Sequence, residues 1–147
     1  MPYVTLEKLK DKYKNRIKRF NQWVKIDRKN INKEMSENPY YLHFAGNKKS
    51  EADFLLRRAE YNLKRAESRA FKRIKKKGKV TDTSAKLQVP LDKEVIEAQN
   101  ECLEMSYLSN ICTIATRSLV HKGEQITNIA YNYRKELDYN LVKKSKK

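Results

Sequence analysis

Between residues 50 and 80 the chain sets Arg57, Arg58, Lys64, Arg65, Arg69, Lys72, Arg73, Lys75, Lys76, Lys77 and Lys79 against only Glu51, Asp53, Glu60 and Glu67. Arg58, Arg65, Arg69, Lys72 and Lys76 recur at helical spacing, and Arg57, Lys64, Arg73, Lys75 and Lys77 widen the band. Cations at that period form a positive rod along one side of a helix, which suits the phosphate backbone of a nucleic acid. The ordinary alternative is a solvated helix face. Two features weigh against it. Glu60 and Glu67 are the only carboxylates between 54 and 79, so most of the cations lack a partner one helical turn away. Crowding like charges also costs self-repulsion, which a polyanion relieves.

Other reactive residue types form no comparable constellation. Glu94, Glu97, Glu101 and Glu104 stand at steps of three, four and three. A carboxylate row can hold a metal or move protons, but here no histidine is in register and no nucleophile is near. These glutamates read as solvated groups or as partners of the basic helix. His43 and His121 have no ligand at metal spacing. Cys102 and Cys112, about 15 Å apart along a helix, are too distant for a disulfide and read as small buried hydrophobes. No catalytic residue, metal or cofactor is therefore expected, and the chain does not read as an enzyme. Trp23 and the cluster Tyr40, Tyr41, Leu42 and Phe44 would stack on bases if exposed, although packing under helices is the commoner fate of such residues.

The elements that must position the basic rod are helical. Charged residues make up 35% of the 147, with three glycines and three prolines, a composition of long helices rather than sheets. Ala52, Leu56, Ala59, Leu63, Ala66, Ala70 and Ile74 form a narrow stripe opposite the cations, suited to close approach of another helix. Ser50 and Asp53 suggest a capped start, so the basic helix is predicted over 50–78. Before it, Leu6, Tyr13, Ile17, Phe20, Val24, Ile31 and Met35 predict a first helix over 4–35, with Lys10, Asp27 and Glu34 interrupting the pattern. Pro39 and Gly46-Asn47 predict a break over 36–49. Residues 79–90 read as a connector with a short extended piece. Pro90 and Asp92 open an apolar helix over 92–121, with Val95, Ala98, Cys102, Met105 and Cys112 on one stripe and Ile96, Leu103, Ile111 and Ile114 beside it. Gly123 reads as a helix-ending glycine, followed by a last helix over 124–140 and a basic tail.

The organisation expected is thus 1–49, 50–90 and 91–147, in an all-α protomer shaped as an elongated helical hairpin or bundle that assembles into a homo-oligomer. Val95, Ala98, Cys102, Met105, Ile111, Ile114, Ile126, Ile129 and Tyr133 are its expected subunit contacts. The net charge of +16 points to nucleic acid first and an anionic membrane surface second, and the lack of an eighteen-residue apolar run or a signal pattern to a soluble intracellular protein; no membrane partner is expected.

These features together carry a family resemblance. The basic central helix, then Lys79-Val80-Thr81-Asp82-Thr83-Ser84, then Asp92-Lys93-Glu94-Val95 opening an apolar helix, then the helix around 126–134, resemble the UvsY-type recombination mediators of tailed phages over residues 50–137. The resemblance implies a non-enzymatic accessory protein of the host-cell cytoplasm that forms a ring-like homo-oligomer and binds single-stranded DNA. It further implies that the protein helps load a recombinase onto strands covered by a single-strand binding protein. The family's DNA-binding motif is a Lys-Ala-Arg-Leu run in the middle helix. This sequence departs from it, its nearest matches being Leu63-Lys64-Arg65-Ala66 and Ser68-Arg69-Ala70-Phe71. The DNA contacts therefore stay open among the ten cations from Arg57 to Lys77. A helical scaffold and an RNA- or duplex-binding protein remain the rival readings.

Overall fold

The computed structural model describes residues 3–78 and 80–145, without the side chains of 142, 144 and 145. It contains four α-helices, α1 (Leu6–Trp23), α2 (Ile31–Lys76), α3 (Asp82–Gln88) and α4 (Lys93–Ser145), with 3₁₀ turns at Arg28–Asn30 and Val89–Leu91. The all-helical expectation holds.

The architecture is a long antiparallel hairpin of α2 on α4, with α1 laid along α4. The hairpin follows from a seven-residue repeat of small residues in α2: Ala45, Ala52, Ala59 and Ala66 are each at most 1% exposed. Alanine at every such position lets the backbones approach closely. On the facing helix Val95, Ala98, Cys102, Met105, Ser109, Cys112, Leu119, Gly123 and Ile126 fall on the corresponding three-four repeat. Polar contacts fix the register. Ser109 Oγ donates to Asp53 Oδ1 at 2.6 Å, and Asn38 Nδ2 to the Leu119 carbonyl at 3.2 Å.

Thr5 caps α1 by accepting from the Lys8 amide, and the helix runs parallel to α4. The Val4 amide donates to Asn100 Oδ1 at 2.8 Å, while Lys12 and Tyr13 both reach Glu104, at 2.5 and 2.7 Å. Leu9 and Phe20 are its buried residues. At its end Trp23 stacks on Tyr41 at 4.9 Å and meets the Phe44 ring edge-on at 5.3 Å. Of the cluster at 40–44, Tyr41, Leu42 and Phe44 thus take the packing role, whereas Tyr40 stays 65% exposed.

Several predicted boundaries are corrected. The first helix stops at Trp23, because Asp27 accepts from the Lys29 amide and the Asn30 side chain and turns the chain before α2. No break occurs over 36–49: α2 runs through Pro39, Gly46 and Ser50. The segment is held helical by burial of Asn38 and Ala45 against α4, and Asp53 serves Lys49 and Ser109 rather than a cap. The connector does return the chain, but through α3, capped by Thr81, and a 3₁₀ turn instead of an extended piece. Gly123 ends nothing. Among the described residues no glycine has positive φ, and α4 continues to Ser145. An added Cβ at Gly123 would lie 3.0 Å from Asn38 Nδ2, so the glycine admits the neighbouring helix. Lys79, and residues 146 and 147 of the basic tail, fall outside the described residues.

Candidate nucleic-acid interface

The ten predicted binding cations all lie on α2 or its C-cap, and all are exposed. The alanine stripe that seats α2 on α4 turns the opposite side outward, since residues two positions apart on a helix point roughly opposite ways. The structure divides the ten into two sets.

Arg69, Arg73 and Lys75 are engaged by acidic side chains. Arg73 Nη1 donates to Glu94 Oε2 at 2.7 Å and Nη2 to Asp92 Oδ1 at 2.8 Å, while Arg69 pairs with the other oxygen of Glu94. Lys75 Nζ donates to Asp82 Oδ1 at 2.6 Å and to the Val80 carbonyl at 2.9 Å. These contacts brace the turn from α2 into α4. The Arg73 hydrogen bonds hold Asp92 and Glu94 below the usual carboxylate range, and Lys75 does the same to Asp82. Glu94 thus meets the basic helix, one of the two roles open to the acidic row.

Arg57, Arg58, Lys64, Arg65, Lys72, Lys76 and Lys77 form no salt bridge among the described residues. Six of them, from Arg57 to Lys76, spread over the outward side of some twenty residues, about 30 Å of helix, and Lys77 sits at the C-cap. Phe54 and Tyr61 share that side, 66% and 61% exposed, and Arg65 lies 5.7 Å from the Tyr61 ring centroid. Sequence reasoning passed over these two rings. The signal was present in the spacing, because Phe54, Arg58, Tyr61 and Arg65 follow at steps of four, three and four.

The predicted subunit contacts are also divided. Val95 and Ile126 are buried within the protomer, 0% and 1% exposed, which corrects their assignment to a subunit surface. Ala98, Met105 and Ile111 pack against the intrachain clusters, and Cys102 is half-buried. Ile114 and Tyr133 are exposed, and Ile129 is partly so. Burial raises the Cys102 and Cys112 thiols above their ordinary pKa, the behaviour of packing residues. Among the described residues no group of three or more His, Cys, Asp or Glu side chains is placed to hold a metal, and no helix is long and apolar enough to cross a membrane.

Compared with known protein families, with curated proteins and with solved structures, the chain matches none.

Proposed function

We propose that this chain is a non-enzymatic single-stranded DNA-binding protein that acts as a recombination mediator, helping to load a recombinase onto strands coated by a single-strand binding protein. The observation that carries the binding half is the row of six exposed cations on α2, with Lys77 at its C-cap, that make no salt bridge among the described residues. A fixed row of charge on a rigid helix releases counterions from a polyanion without reorganising the protein. The mediator half, with its ring-like homo-oligomer, rests on the resemblance carried by 50–137. In a ring each protomer contributes one weak site, and a wrapped strand gains avidity from their number.

The test is a titration of fluorescent oligo-dT at several salt concentrations. Wild-type affinity should fall with a logarithmic slope of roughly 0.7 per phosphate contact. Arg58→Glu/Arg65→Glu/Lys72→Glu should abolish binding while helicity by circular dichroism is unchanged. Salt-insensitive binding, or affinity unaltered in the triple variant, would reject this placement of the site; no binding at all is the outcome expected of a scaffold. Competition by duplex and RNA of equal length separates the remaining rival. Stimulation of recombinase filament formation on coated strands checks the mediator role.

A further inference from the structure

The outward side of α2 is not uniformly basic. Phe54, Arg58, Tyr61, Arg65 and Lys72 stand on one helical stripe, opposite the buried Ala52, Ala59 and Ala66. Aromatic rings and cations alternate along it. Phe54 and Tyr61 belong to neither hydrophobic cluster, yet each exposes about two thirds of its surface. Exposed rings interleaved with cations on one rigid face have the composition of surfaces that stack bases while tracking a phosphate backbone. The Arg65 guanidinium lies beside the Tyr61 ring in a cation–π contact. Seven residues separate the rings, about 10 Å along the helix axis. That distance is about three base steps at the duplex rise of roughly 3.4 Å.

We propose that Phe54 and Tyr61 form a base-stacking ladder for single-stranded nucleic acid, with Arg58, Arg65 and Lys72 holding the phosphates between and beyond the rings. The inference rests on the function proposed above and deepens it by naming unpaired bases as what the face takes. Cations alone attract any polyanion, duplex included. Aromatic faces reward only bases whose own faces are free, which a paired duplex does not offer. The charge pattern also argues against a second copy as occupant, since two such stripes meeting would bring Arg58, Arg65 and Lys72 against their own counterparts.

The decisive comparison is fluorescence anisotropy with oligo-dT and with an abasic strand of equal length, each across a range of salt, on wild type, Phe54→Ala/Tyr61→Ala and Tyr61→Phe. Wild type should favour the base-bearing strand by at least about fivefold per stacked base. The double alanine variant should lose that preference while keeping its abasic-strand affinity and salt slope, and Tyr61→Phe should keep it. Equal wild-type affinity for both strands with a steep salt slope overturns the ladder and leaves the charge-based reading standing. Salt-sensitive binding to neither strand overturns both. A change in mass of the double alanine variant by light scattering assigns the rings to a contact between copies, and also overturns the ladder.

Discussion

Lys122 is the most informative single residue outside the basic face. Its side chain is 3% exposed and partnered: Nζ lies 2.5 Å from Glu34 Oε2 and donates to the Trp23 carbonyl at 2.8 Å. Glu34 in turn accepts from the Asp27 amide at 2.8 Å, so one ion pair ties the end of α1, the turn and both hairpin helices. Removing one member of a buried pair leaves the other charge uncompensated. Lys122→Met is therefore expected to lower stability by about 3–5 kcal/mol, measured by urea unfolding. Lys122→Met/Glu34→Gln should lose less than the two single changes summed. The sequence showed Glu34 only as a flaw in an apolar repeat, because the cation that answers it lies 88 positions away. Periodicity reports faces, and not the partners of polar exceptions. The cations of 57–77 were legible for the opposite reason, since a solvated face needs no distant partner to be recognised. A second residue-scale expectation concerns acid. Asp92 and Glu94 have folded pKa values held below the unfolded ones, chiefly by Arg73 hydrogen bonds, so the folded chain binds fewer protons than the unfolded. Their contribution is complete at neutral pH and declines as the pH falls below about 5, through the depressed values. Arg73→Met should shallow that acid limb in denaturation curves taken at successive pH values.

At the scale of the element, α2 is set by what covers it rather than by its local signals. Gly46 lies inside the helix with nothing within 4 Å of an added Cβ. Gly46→Ala should raise stability by about 1 kcal/mol, seen as a higher urea midpoint at unchanged slope. Ala59 is fully buried in the seam with α4. Ala59→Leu should instead cost about 1–3 kcal/mol by forcing the helices apart. The contrast separates the two sides of one helix. It also explains which boundaries could be read from sequence. The apolar stripes of 52–70 and 95–105 were legible because core faces repeat at helical period. Pro39 and Gly46 were misread as a break because local preference favours one there, while burial of Asn38 and Ala45 against α4 holds the helix together. The real interruption, at 24–30, depends on the short-range bonds of Asp27, an acid that looked like a lapse in the heptad. Gly123 was misread because closeness to Asn38 cannot be seen from either position alone.

At the scale of the whole molecule, the two hairpin helices differ in length, and the difference leaves a feature without a partner inside the chain. The pairings of Asp53 with Ser109, Asn38 with Leu119 and Glu34 with Lys122 run antiparallel. The start of α2 and the turn before it share a surface pocket with Ala130, Tyr133, Arg134 and Leu137, so α4 beyond Leu137 has outrun its neighbour. Residues 131–141 are all exposed, and Tyr133, Leu137 and Leu141, at steps of four, keep 45%, 63% and 65% of their surface open. A helical segment of this length is marginal in water without tertiary cover. Backbone amides over 132–141 should therefore exchange hydrogen far faster than those over 95–126 when the protein is dilute, as read by mass spectrometry. If Tyr133 lies between subunits, as expected for the proposed ring, protection over 132–141 should rise with protein concentration in step with mass by light scattering. Tyr133→Glu/Leu137→Glu should then abolish both rises while leaving the exchange of 95–126 unchanged, because neither side chain belongs to the buried clusters that cover that stretch. Protection that stays low while the mass increases would exclude this end of α4 from the subunit contact and direct attention to the exposed Ile114 beside α1.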